Sequence, residues 1–130
     1  MSHNIDFTTF VVSGIKFNSK SNISVPSAWT LTNIDSQTIT LPTTGKWLAL
    51  GGTTFTDFGQ SSEFRLNVVC DGVSVYETQY VCMPLQGLTN SLVFNATSPT
   101  IEIKRYYNGG GPDSGKIRIG ETNLVLLRIG

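Results

Sequence analysis

Apolar and polar residues alternate with a period of two along much of this chain. Phe64, Leu66, Val68 and Cys70 are interleaved with Arg65, Asn67 and Val69, and Thr38-Ile39-Thr40-Leu41 alternates strictly. Successive strand side chains point to opposite faces, so this period marks half-buried β-strands. No window carries the i, i+3, i+4, i+7 apolar stripe of a helix. Composition agrees: there are sixteen Thr, ten Val and ten Ile, against three Ala and four Glu. Branched side chains lose χ1 freedom in a helix and fit a pleated surface.

The pattern predicts strands over Phe7–Phe17, Ile23–Val25, Trp29–Thr32, Thr38–Leu41, Trp47–Phe55, Phe64–Cys70 and Val73–Val81. It continues with Leu88–Phe94, Thr100–Tyr107, Lys116–Ile119 and Asn123–Ile129. Pro42-Thr43-Thr44-Gly45 reads as a turn, because Pro fixes φ and Gly supplies the permissive end. Asp71-Gly72 reads as a two-residue hairpin turn that pairs Cys70 with Val73. Leu88–Phe94 and Thr100–Tyr107 are expected to pair with each other across Asn95–Pro99. Gly51-Gly52 marks a bulge or a point of close packing. The nearly continuous run Leu124-Val125-Leu126-Leu127 points to a last strand buried on both faces. With Ile23–Val25, Trp29–Thr32 and Lys116–Ile119 as short candidates, roughly eight to ten strands in 130 residues are most economically packed as one domain of two facing antiparallel sheets. The expected organisation is an N-terminal arm over residues 1–6 and a single all-β domain over 7–130.

Charged residues make up only 14% of the chain, against about 25% in an average soluble protein. The surface must therefore be built from Ser, Thr, Asn and Gly, or be partly hidden in an oligomer. Formal net charge is zero, and Lys104-Arg105 is the only basic pair, so no patch exists to neutralise several phosphates of a nucleic acid. No apolar stretch is long enough for a membrane-spanning helix. Residues Met1 to Asp6 lack a basic and an apolar segment, which implies synthesis in a cytoplasm without a signal peptide. Cys70 and Cys82 have no metal-ligand spacing. With Cys70 at a hairpin turn and Cys82 far along the returning strand, they are expected to be free thiols. Asn22-Ile23-Ser24 and Asn95-Ala96-Thr97 match the glycosylation sequon by chance.

Candidate chemistry is sparse. The lone histidine, His3, lies in the expected arm, where no nucleophile is held beside it. Glu63, Glu77, Glu102 and Glu121 read as solvated strand residues and not as a hydrolytic pair. Asn108-Gly109-Gly110-Gly111 leads into Pro112 and then a strand, so it is not a phosphate loop. Asp35, Asp57, Asp71 and Asp113 lack the spacing of a calcium loop and read as turn formers. No metal and no cofactor is expected. Trp29, Phe58, Tyr76, Tyr80, Tyr106 and Tyr107 lie near predicted loops, where aromatic rings stack on sugars or fill interfaces. Tyr106, Tyr107, Asn108 and Asp113 make the best candidate ligand site.

Several segments, in order, resemble the tumour necrosis factor and complement-globular-head superfamily. Ile39 to Leu48, with Leu41-Pro42, Gly45 and Trp47, is similar to the entry into that family's long third strand. Phe64 to Val73, ending Asp71-Gly72-Val73, resembles a later hairpin. Thr100 to Lys104 and Leu124 to Ile129 resemble following and closing strands. The resemblance covers about residues 34–130, and it departs where Asn95 to Pro99 replaces a usual Gly-Asp. It implies a two-sheet antiparallel jelly-roll sandwich, a homotrimer, and kinship with divergent bacteriophage structural proteins. The expected function is a non-enzymatic virion surface protein that decorates and stabilises the phage head. Its partners would be itself and the major capsid protein or another virion protein, seated through His3, Asn4, Ile5 and Phe7. The alternative is a carbohydrate- or receptor-binding tip domain of a tail fibre or spike.

Overall fold

The alternating, β-branched segments fold as strands, and no helix occurs among the described residues. The computed structural model describes residues 10–23, 31–57, 62–77, 80–82, 87–109 and 117–130. Its strands are β1 (Val11–Phe17), β2 (Lys20–Ile23), β3 (Leu31–Thr40), β4 (Gly45–Asp57) and β5 (Ser62–Cys70). β6 (Val73–Glu77), β7 (Tyr80–Cys82), β8 (Gly87–Ala96), β9 (Thr100–Gly109) and β10 (Ile117–Arg128) follow. The expected arm, with His3, Asn4, Ile5 and Phe7, lies outside the described residues.

Two antiparallel sheets form. Sheet A runs β1-β10-β4-β8, with β2 continuing the β1 edge against β10. Sheet B runs β3-β9-β5-β6, with β7 also pairing β5. The pairs β1 with β10, β3 with β9, β4 with β8 and β5 with β6 are nested, first strand with last, so the chain is one long hairpin rolled over itself. That is a jelly roll, a double-sheet solution to unprotected edges.

Inward side chains of both sheets make one core. Trp47, Ala49, Leu92, Phe94, Leu124 and Leu126 come from sheet A. Phe64, Leu66, Val68, Ile101, Ile103 and Tyr107 come from sheet B. Each fully buried large side chain contributes roughly 1.5–3 kcal/mol relative to exposure. The Trp47 indole N–H donates to the Thr43 carbonyl at 3.2 Å, so burying the ring leaves no orphan donor.

Several expectations require correction. Leu88–Phe94 and Thr100–Tyr107 do not pair: β8 lies on β4, and β9 lies between β3 and β5. Their link crosses between sheets, and the Leu41 amide donates to Pro99 O at 2.6 Å along that crossing. The two short strands near Trp29 and Thr38 are one strand, β3, whose register shifts between Asn33 and Asp35. The two last segments are likewise one strand, β10, with a register shift between Ile119 and Thr122. A bulge adds one residue and so breaks the period of two that marks a strand. The segment Val73–Val81 is divided into β6 and β7. The last strand is buried on one face only: Leu124 and Leu126 are buried, while Val125 and Leu127 are half-buried on the outer face. The Asp71-Gly72 turn is as expected, with φ of 52° and 76°, the two positive values of a type I′ hairpin, and Cys70 opposite Val73. Gly51 is a point of close packing, since a Cβ there would lie 1.7 Å from the Asn123 carbonyl oxygen of β10.

Candidate functional site

Among the described residues, the interior holds one polar centre. Arg105 of β9 takes an inward position, next in the alternation after Ile101 and Ile103, and is wholly buried. Its five N–H donors are all used. Nε and one terminal nitrogen donate to the Asp35 carboxylate at 2.8 and 2.6 Å. The same terminal nitrogen donates to Asn18 O at 2.7 Å. The other donates to Gly120 O at 3.0 Å and Thr122 Oγ1 at 3.1 Å. The guanidinium also lies 5.2 Å from the Phe17 ring centre. Thr122 shares a 2.8 Å hydrogen bond with buried Thr53. A fully satisfied bidentate arginine has no donor left for a substrate. This cluster ties sheet B (β3, β9) to sheet A (β10) and to the β1–β2 link.

The described carboxylates form no hydrolytic pair. Glu102 is ion-paired with Lys104 at 3.3 Å and Glu121 with Lys16 at 3.0 Å. Asp35 serves Arg105, and Asp71 sits in the hairpin turn. Among the described residues, no group of three His, Cys, Asp or Glu is placed to hold a metal. Among the described residues, no helix is long and apolar enough to cross a membrane.

The two outward faces differ sharply in chemistry. On sheet A, the pairing sets Val11, Leu127, Leu48 and Val93 in one row across all four strands. All four point outward: Val93 is exposed, and the other three are half-buried. The next row adds Val125 and Leu50, and Ile129 is half exposed beyond the first. Lys16, Glu121, Lys46 and Asn95 lie at the margins. On sheet B, the outward rows are polar: Asn33, Tyr106 and Arg65; Ser36, Lys104 and Asn67; and Thr38, Glu102 and Val69.

The sequence-predicted ligand residues separate on this scaffold. Tyr106 is half-buried on the outer face of sheet B, whereas Tyr107 is 2% exposed and belongs to the core. Neighbouring strand residues face opposite ways, so the two rings cannot share a site, and Tyr107 does not face a ligand. Asn108 pairs with Leu31 and Glu63 through its backbone at the end of β9. Asp113 lies outside the described residues, as do Trp29 and Phe58.

No family model and no curated protein matches the chain. Among solved structures, it overlays on 31% of a chain in the structure of infectious bursal disease virus Gt strain, with 90% of this chain covered, 16% identity and a TM-score of 0.43. It overlays on 12% of dimeric latent PorU from Porphyromonas gingivalis, with 91% covered, 10% identity and a TM-score of 0.41. Both are loose fits to minor parts of longer chains. A fuller likeness is to the EclA C-terminal domain, described as a sugar-binding protein: 95% of this chain and 82% of that one superpose, with 18% identity and a TM-score of 0.57. At that identity the likeness is one of fold, an all-β sandwich of two antiparallel sheets.

Proposed function

We propose that this chain is a non-enzymatic structural protein of a virion surface, joined to copies of itself as a trimer that decorates a bacteriophage head. The observation that carries this reading is the outward apolar row Val11–Leu127–Leu48–Val93 on sheet A. A solvated antiparallel sheet normally turns polar residues outward. Here two adjacent rows of the face are largely apolar and are flanked by charged or polar residues, Lys46 and Asn95 on one side and Asn123 on the other, the anatomy of a protein interface. Four strands at about 4.8 Å by ten residues at about 3.3 Å give a face of roughly 600 Å², close to the ~800 Å² per partner of a stable complex. The 14% charged content fits a surface partly covered by other copies. The residues around His3, Asn4, Ile5 and Phe7 are the proposed contact to the major capsid protein. Binding only the assembled lattice would stabilise that lattice by linkage.

Native mass spectrometry of the full chain is expected to give trimers, and Leu127→Glu is expected to give folded monomers. A wild-type chain that stays monomeric at micromolar concentration, or trimers that survive L127E, would defeat the assembly reading. Immunolabelling of purified particles tests the location.

A second reading, a carbohydrate-binding tip, is supported by Tyr106 set between Asn33 and Arg65 on the polar face. The fold shared with a domain described as sugar-binding also favours it. A glycan array with Tyr106→Ala as control tests it; specific binding that depends on Tyr106 would favour the tip over head decoration.

A further inference from the structure

At the turn end of sheet B, a groove of about 240 Å³ lies on the outer face, lined by Thr38, Val69, Asp71, Gly72, Thr100 and Glu102. Three strands and one turn build it. Thr38, Glu102 and Val69 are directly opposite one another across β3, β9 and β5. The Asp71-Gly72 turn closes one side, held by its two positive φ angles. The walls are therefore ladder-bonded backbone and a tight hairpin, a preformed shape.

We infer that this groove binds one neutral sugar ring. Its polar groups are two carboxylates and two hydroxyls. Carboxylates accept charge-assisted hydrogen bonds from hydroxyl donors, and neighbouring sugar hydroxyls present such donors in pairs. The threonine hydroxyls both donate and accept, so they match hydroxyls in either orientation. Among the described residues, the side chains of Thr38, Asp71 and Thr100 engage no other protein group. Val69 and Gly72 supply an apolar strip for the C–H face of a ring. Asp71 and Glu102 disfavour phosphorylated or acidic sugars by like-charge repulsion. A divalent cation suits the groove poorly. It would need six to eight oxygen ligands, and the Lys104 ammonium already sits 3.3 Å from a Glu102 oxygen. The groove is too small for a drug-sized ligand and open enough for a chain end to leave it. The inference rests on the carbohydrate reading above and gives it a place other than Tyr106.

The test is amide NMR on the full chain, titrated separately with neutral methyl hexosides, an N-acetylhexosamine and calcium chloride. At least one sugar is expected to shift the amides of Thr38, Asp71, Gly72, Thr100 and Glu102, saturating in the millimolar range. Asp71→Asn and Glu102→Gln are each expected to weaken that sugar about tenfold, the effect of one charge-assisted hydrogen bond. Asn keeps the positive φ of the turn, and Glu102 is partly exposed, so both variants should stay folded. No saturable shift with any sugar overturns the inference. So do variants that bind like wild type, or saturation by calcium alone. Shifts confined to the surroundings of Tyr106 would also overturn it while leaving the carbohydrate reading intact.

Discussion

Asp35→Ala should be among the most damaging single substitutions at a partly exposed position in this protein. The carboxylate is 17% exposed, yet it holds two of the five donors of a guanidinium with no exposure at all. Its removal leaves Arg105 charged and buried among Leu66, Ile103 and Phe17, with only Asn18 O, Gly120 O and Thr122 as partners. Breaking a buried pair by deleting one partner costs about 3–5 kcal/mol. Water entering through the opening at residue 35 argues for the lower end, about 3 kcal/mol, out of a total stability of roughly 5–15 kcal/mol. Arg105→Met fails differently. The charge is gone, Asp35 can hydrate, and Thr122 keeps its bond to Thr53. The buried Gly120 carbonyl loses its described side-chain partner at about 1–3 kcal/mol, whereas the carbonyl of exposed Asn18 can hydrate.

The double variant Asp35→Ala/Arg105→Met separates these costs. Removing both charges leaves neither ion stranded, and apolar replacements of buried pairs are often tolerated. Its loss should be smaller than the two single losses combined, with a coupling of about 2 kcal/mol or more. Urea unfolding followed by tryptophan fluorescence measures all four proteins, since Trp47 is buried in the core. In thermal scans, Asp35→Ala should lower Tm by about 10 °C. A loss under about 1 kcal/mol for Asp35→Ala, or additivity within about 0.5 kcal/mol, would refute the view that this ion pair ties the two sheets together.

Four further outcomes are expected. Gly51→Ala should abolish soluble expression or cost more than about 3 kcal/mol, because its Cβ would meet a β10 backbone oxygen. Gly14→Ala should cost only about 1–2 kcal/mol, because its φ is +76° but nothing lies within 4 Å; urea titrations of the pair check the contrast. Dithiothreitol should leave Tm unchanged, because Cys70 is free and Cys82 pairs with Ser62 at the other end of β5, roughly 26 Å away at strand rise. Lys16→Met should change stability by less than about 1 kcal/mol, since its ion pair with Glu121 is half exposed; a larger change in urea unfolding would count against that ranking.

What the sequence makes legible follows from what a period of two encodes. It tells which residues of a strand share a side, so the inward sets Phe64-Leu66-Val68-Cys70 and Ile101-Ile103 are readable. Turn chemistry is readable too, as Asp71-Gly72 shows. The same parity, carried on along β9, puts Arg105 and Tyr107 inward and Tyr106 outward. A cation in the inward series is the signal that could have exposed the Arg105 centre. Bulges erase this information, and β3 and β10 each look like two strands for that reason. Alternation is also silent on which strand lies beside which. The assignment of β8 and β9 to different sheets depends on the whole rolled hairpin. So does the row Val11–Leu48–Val93–Leu127, whose members are far apart in the chain and meet only through pairing.

The two proposed surfaces lie on opposite sides of one sandwich, and that placement makes them jointly testable. Sheets pack about 10 Å apart, and the Arg105 centre and the apolar core fill the space between. A partner on sheet A therefore leaves the groove on sheet B open, and no groove residue belongs to the apolar face. Leu127→Glu should accordingly leave the affinity for a single sugar unchanged while removing the trimer. Against a surface that displays many copies of that sugar, the outcome should differ. Three weak sites held together gain about 10²- to 10⁴-fold in apparent affinity over one, if their geometry allows simultaneous contact. Surface plasmon resonance on a dense glycan layer, set beside NMR with the free sugar, measures both. Equal losses in the two assays would mean that the groove needs a neighbouring copy to be complete, and the independence of the faces would fall.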